Sequence, residues 1–314
     1  MGFKKSTATD CLFSRVQKTE TVHLLVYVDD LLIVGTLNAV SRGKRELAMK
    51  FTTTDLGVCR HFLGIKVDRR PNGIFLSQGS YAERIVEKAG MEDAKTAATP
   101  LPMSHPLYED RADLPAVERE FMERAPYRRL LGSLLFLATR TRPDITTEVS
   151  MLAKFQSDPG IKHWQSLKTL IRYVKGTTDT GIFLPAGDEG VVLTAWSDAD
   201  WARDQTRSRS RTGYVITVNG GPVVWASKLQ NATTLSTTEA EFYALSSCIR
   251  EVQCLRALLS DLQGQQQGPT VVYQDNLGAI RWTEDVQGLR QVKHVHTRYN
   301  FVSDAVESRD VIVQ

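Results

Sequence analysis

The stretch Leu235-Ser236-Thr237-Thr238-Glu239-Ala240-Glu241-Phe242-Tyr243-Ala244-Leu245 decides how this sequence folds. Ser236 with Glu239 three residues on is a capping box: the serine oxygen takes an amide of the first turn, and the acid turns back toward the cap. The pattern predicts a long helix over residues 235–262, beginning near Ser236. At about 100° per residue, Ala244, Leu245, Cys248, Val252, Leu255 and Leu259 all fall within about 60° of Glu241. Glu241 therefore projects from the apolar, core-facing side one turn into the helix, while Glu239 points roughly the opposite way. A carboxylate on a buried stripe is costly unless something holds it. An ion pair with a nearby Arg or Lys is one solution. A shared cation is another.

Around this helix the texture is that of strands. Val191–Ser197 reads as a strand running into Asp198-Ala199-Asp200, followed by strands over 212–218 and 222–228 with a hairpin turn at Gly220-Gly221. After the helix, residues 268–274 form a fourth strand that leads into Asp275. Helices over 277–282 and 297–307 and a last strand at 311–313 complete the pattern, an α/β layered unit. Asp198 and Asp275 thus each follow a strand, where open α/β sheets place ligands. Asp275-Asn276 is equally a good helix N-cap. If Asp198, Glu241 and Asp275 converge, their hard oxygens suit Mg²⁺ or Mn²⁺, and such a cluster supports phosphodiester hydrolysis.

Further upstream, residues 21–35 form two apolar, β-branched runs around Asp29-Asp30, which predicts a tight hairpin with carboxylates at its tip. Residues 41–51 read as a helix, 61–67 and 74–77 as strands joined at Pro71-Asn72-Gly73, and 79–90 as a helix. A Pro-rich connector over 99–114 is a candidate boundary. Residues 118–176 are helix-rich, with Pro143 breaking the pattern.

The chain has 314 residues, 42% of them hydrophobic, enough for more than one core. A net charge of +3 permits a nucleic-acid partner without demanding one. The four cysteines include no C-x-x-C pair, which argues against zinc and for a reducing compartment, cytoplasmic or nuclear. No apolar run reaches the roughly 20 residues of a membrane span. Met1-Gly2-Phe3-Lys4-Lys5-Ser6 matches the N-myristoylation pattern at Gly2, with an internal methionine as the plainer alternative.

The segment Trp196-Ser197-Asp198-Ala199-Asp200-Trp201-Ala202 resembles the first ribonuclease H motif of copia-type retrotransposon Pol polyproteins. Arg209 to Tyr214, Trp225 to Gln230, Leu235 to Leu245, Asp275 to Ile280 and Lys293-His294-Val295 continue that series in order. The resemblance implies that Asp198, Glu241 and Asp275 are metal-binding carboxylates acting on the RNA strand of an RNA–DNA hybrid, with Asp200 a neighbour. Tyr27-Val28-Asp29-Asp30 is similar to the reverse transcriptase acidic hairpin, and Phe62-Leu63-Gly64-Ile65 to the region that follows it. Tyr127 to Leu134, Thr141 to Ile145 and Leu170 to Thr177 are similar to the connection region. The implied organisation is a partial palm over 1–77, a thumb-like segment over 78–110, a connection over 111–189 and a ribonuclease H-like unit over 190–314.

The same resemblance places a further polymerase aspartate before residue 1, and a fourth ribonuclease H carboxylate on a helix after the last strand. Asp304 and Asp310 are the only late candidates, and Asp304, which precedes the last strand, lies in the wrong element to replace it. The expectation is therefore no autonomous DNA synthesis from Asp29 and Asp30. The ribonuclease H-type carboxylates leave two readings: a hybrid nuclease, or a non-catalytic nucleic-acid-binding remnant. Arg203, Arg207, Arg209 and Arg211 are candidate phosphate contacts or a solvated basic loop. His294 and His296 are candidate substrate neighbours or ordinary surface histidines.

Overall fold

The computed structural model describes residues 1–17, 20–102, 115–187, 190–204, 209–262, 264, 266–284 and 293–314. A first antiparallel sheet runs β1 (Lys4–Lys5), β2 (Leu12–Gln17), β3 (Glu20–Tyr27) and β4 (Asp30–Gly35) in that order, with α1 (Leu37–Ala48) packed beside β3 and β4. Tyr27 pairs with Asp30, so Val28 and Asp29 form the two-residue turn.

The next segment departs from the expected single strand over 61–67. It splits into β5 (His61–Phe62) and β6 (Ile65–Arg70), because Leu63 and Gly64 both take positive φ, 50° and 79°, and turn the chain. β7 (Gly73–Ser77) follows, then α2 (Gly79–Lys88). Helices α3 (Ala116–Arg124), α4 (Tyr127–Arg140), α5 (Thr146–Ala153) and α6 (Ile161–Gly176) come next, with a 3-10 turn at Pro143–Ile145 where proline suits the first helical position. β8 (Gly181–Pro185) then joins β7, closing a second sheet of order β5-β6-β7-β8.

Tyr127, Leu130, Leu134, Leu137, Ile145, Leu152, Leu167 and Leu170 form one buried core with Ile85 and Val86 of α2. Arg142 is enclosed at its edge, where it bonds Asp144 through both Nε and Nη2 (2.9 and 2.8 Å) and Thr177 O at 2.8 Å.

The third sheet positions the site. β9 (Leu193–Asp204), β10 (Arg209–Val218) and β11 (Gly221–Leu229) are antiparallel. After α7 (Thr237–Asp261), β12 (Thr270–Tyr273) adds parallel to β9. Helices α8 (Leu277–Glu284) and α9 (Lys293–Glu307) lead to β13 (Val311–Val313), parallel to β12. The order is β11-β10-β9-β12-β13. The β10–β11 turn is Asn219-Gly220, at φ 51° and 83°, one residue earlier than Gly220-Gly221. A two-residue hairpin wants positive φ at both central positions, and Asn-Gly supplies it.

α7 covers one face of this sheet. Phe242, Leu245, Cys248, Ile249 and Val252 meet Leu193, Ala195, Ile216 and Val272, with Tyr299, Val302 and Ala305 of α9. Each fully buried Leu, Ile, Val or Phe among them contributes roughly 2 kcal/mol. The opposite face is more open: Trp196, Val215, Tyr273 and Ile312 are all exposed. Trp225 Nε1 donates to Ala138 O at 2.8 Å, and Arg211 Nη1 to Ser150 Oγ at 2.9 Å, so α4 and α5 abut this sheet. Among the described residues no helix is long and apolar enough to cross a membrane.

Candidate metal centre

Glu241 sits where the helix pattern put it. Ser236 Oγ caps α7 by accepting from Glu239 N at 3.1 Å, and Glu239 Oε2 accepts from Leu235 N at 2.7 Å, one residue before the cap. This pair fixes the start of the helix, and with it the turn that points Glu241 toward the sheet. Glu241 is buried although ionisable.

Asp198 is not at a strand end. β9 continues to Asp204 because β10 keeps pairing with it, Gly213 opposite Asp198. The parallel neighbour β12 stops earlier, at Tyr273 opposite Trp196. Asp198 therefore lies just past the end of the parallel pairing, and Asp275 leaves β12 at the same level. Three carboxylates from β9, α7 and the β12–α8 turn come together, each with a ligand oxygen within 4.8 Å of the others. This is the only such grouping of three His, Cys, Asp or Glu among the described residues.

The electrostatics follow from the crowding. Burial first, then the charges of Asp198 and Asp275, push the Glu241 carboxyl up to about 7. Asp198 is raised as well, by burial and then by Asp275, with a smaller push from Asp200. Like charges gathered at a half-buried spot are unfavourable, which is the condition a divalent cation relieves.

One polar side chain threads the cluster. Gln274 is buried, and its Nε2 donates to Glu241 Oε2 at 3.3 Å and to Ser197 Oγ at 3.2 Å. Its Oε1 accepts from Asn276 N at 3.0 Å. Asn276 Oδ1 in turn accepts from Ala279 N at 3.0 Å, capping α8. Asp198 and Asp275 open onto a groove of about 700 Å³. Its walls include Trp196 and Tyr273, stacked at 5.6 Å, with Trp225, Arg211, Thr146 and Thr147; Glu241 is not among its lining residues.

The other candidates fall elsewhere. Asp29 and Asp30 are exposed at the β3–β4 tip and join no such grouping. Asp304 is exposed on α9, and Asp310 accepts from Gln253 Nε2 at 3.2 Å and pairs with Arg256 at 3.6 Å. Arg211 bridges the sheet to α5 rather than standing in a solvated loop. Arg207 and the side chains of Arg203, His294 and His296 lie outside the described residues.

Such a chain, two sheet-and-helix units upstream of a third sheet with an acidic centre, has the fold of a reverse transcriptase. The family model for reverse transcriptase (RNA-dependent DNA polymerase) matches residues 1–103. The chain is 35% identical over 99% of its length to the Retrovirus-related Pol polyprotein from transposon TNT 1-94 of Nicotiana tabacum, spanning 24% of that protein. It is 31% identical to a putative transposon Ty5-1 protein of Saccharomyces cerevisiae, covering 80% of each. The foamy viral protease-reverse transcriptase dRH in complex with ds DNA shares the fold, at a TM-score of 0.50 and 14% identity over 93% of this chain and 45% of that one. The chain belongs to the reverse transcriptase family of copia-type retrotransposon Pol polyproteins. It spans about a quarter of the length of the tobacco polyprotein.

Proposed function

We propose that this chain hydrolyses the RNA strand of an RNA–DNA hybrid at the centre formed by Asp198, Glu241 and Asp275. The observation that carries this reading is the convergence of three carboxylates from three separate elements within 4.8 Å. The donor set fits Mg²⁺ or Mn²⁺: all oxygen, negatively charged, and unfavourably crowded without a counter-charge. Held by these three residues, a divalent ion supplies Lewis acidity toward a phosphodiester and a more acidic water. The chain's own residues do the rest. Asp198 and Asp275 line the groove, and Glu241 completes the set from α7. The Trp196–Tyr273 pair lines the same groove as the two exposed acids. On this reading the ribonuclease H-like unit over 190–314 carries the centre, and the Asp29-Asp30 hairpin belongs to the polymerase-like part over 1–77.

The test is a hybrid labelled on each strand, incubated with the purified chain in Mg²⁺, Mn²⁺ or chelator. Cuts confined to the RNA strand, and lost with chelator, are expected. Retention of the hybrid without cleavage would favour the non-catalytic binding reading instead.

A further inference from the structure

We infer that Gln274 is a positioning residue of the acidic centre, whose side-chain amide holds Glu241 in place relative to Asp198 and Asp275 so that the three can share one cation. The inference rests on the metal-centre reading above and deepens it. The side chain is 5% exposed and reaches every element that contributes an acid. One N–H goes to Glu241 Oε2 on α7, the other to Ser197 Oγ, next to Asp198 on β9, and Oε1 takes the amide next to Asp275. Both amide hydrogens are used, so the group is oriented rather than merely buried. The main chain fixes its base, since Gln274 N donates to Gln314 O at 2.8 Å.

The reason it matters is geometric and electrostatic. Glu241 is on a different element from the two aspartates, and both repel it. A lone carboxylate so placed would turn away or take a proton. The donated N–H favours its ionised form and selects one rotamer. The bonds to Ser197 and Asn276 tie that rotamer to the two backbones bearing Asp198 and Asp275. At 3.2 and 3.3 Å each donated bond is individually modest, so the role is alignment. Outer-shell partners of this kind typically change metal affinity by about 10- to 100-fold.

The experiment is Mn²⁺ titration of the full chain followed by electron paramagnetic resonance, for wild type, Asp198→Asn, Gln274→Met and Glu241→Gln, plus the Gln274→Met/Glu241→Gln double variant. Amide exchange at Asn276 is followed in parallel. We expect Gln274→Met to weaken Mn²⁺ binding about 10-fold or more, to speed exchange at Asn276, and to have no further effect once Glu241 is Gln. That last result separates action through Glu241 from general loosening. Should Gln274→Met fail to fold, Gln274→Asn is read in the same titration: it keeps the amide but cannot span to both α7 and β9, and the same loss is expected. Wild type and Gln274→Met binding Mn²⁺ equally, with Asp198→Asn binding none, would overturn the inference and leave the metal centre standing. A wild type that takes up no Mn²⁺ would overturn both.

Discussion

Two acidic sites in this chain are built in opposite ways. Asp29 and Asp30 are neighbours in sequence at the tip of the β3–β4 hairpin, exposed to water that screens them. Asp198, Glu241 and Asp275 are far apart in sequence, and the fold forces them together beside a packed helix. The first arrangement costs the chain little. The second costs stability, because a buried acid and its like-charged neighbours must be accommodated. Among the described residues no ion pair relieves that cost, and in the proposed function a bound cation supplies the counter-charge. The two halves are also joined. Asp261 at the end of α7 accepts from Ser6 Oγ at 2.6 Å and from Thr7 N at 2.9 Å, latching the first sheet to the helix that bears Glu241.

The comparison breaks first on metal uptake. Glu241→Gln or Asp275→Asn should lower Mn²⁺ affinity by at least about 100-fold, more than loss of an outer-shell partner costs, while Asp29→Asn leaves it unchanged. Equal losses in both sites, read by the same titration, would erase the distinction.

A second contrast lies in pH. Glu241 is raised from 4.5 to about 7 in the folded chain, so the folded state binds its proton more tightly than the unfolded state. Its contribution to stability is fully present below pH 4.5 and is lost as pH rises through about 7. Without metal, the thermal midpoint should fall by a few degrees across that window. Glu241→Gln should flatten the fall, and Asp30→Asn should not.

Local construction sets a third, smaller effect. Ser236→Ala removes the cap that aims Glu241 and should cost about 1 kcal/mol, seen as faster amide exchange in the first turn of α7. Asp29→Ala should stay within about 0.5 kcal/mol. Smallest of all, Asp261→Ala should speed exchange at Thr7 and Ala8 while leaving Mn²⁺ affinity intact, showing that the latch joins the two sites without tuning either.

Where local chemistry governs, the sequence was readable. The Ser236 cap and the apolar stripe placed Glu241 on the sheet side, and the strands, helices and turns of the third sheet fell near their expected bounds. Misreadings came where a neighbour decided the outcome. β9 runs past Asp198 because β10 pairs with it out to Asp204. The 61–67 run bends because Leu63 and Gly64 adopt positive φ, which no periodicity announces. Gln274 read as one more strand residue, since its value lies in bonds to α7 and β9. Arg211 looked like part of a basic loop, and its bond to Ser150 links segments 61 residues apart.

The most direct test compares hybrid cleavage by wild type, Asp198→Asn and Asp30→Asn in Mg²⁺. We predict RNA-strand cuts by wild type and Asp30→Asn at similar rates, and none by Asp198→Asn. Cleavage that survives Asp198→Asn, or that disappears with Asp30→Asn, would contradict the assignment of the chemistry to the three-carboxylate centre.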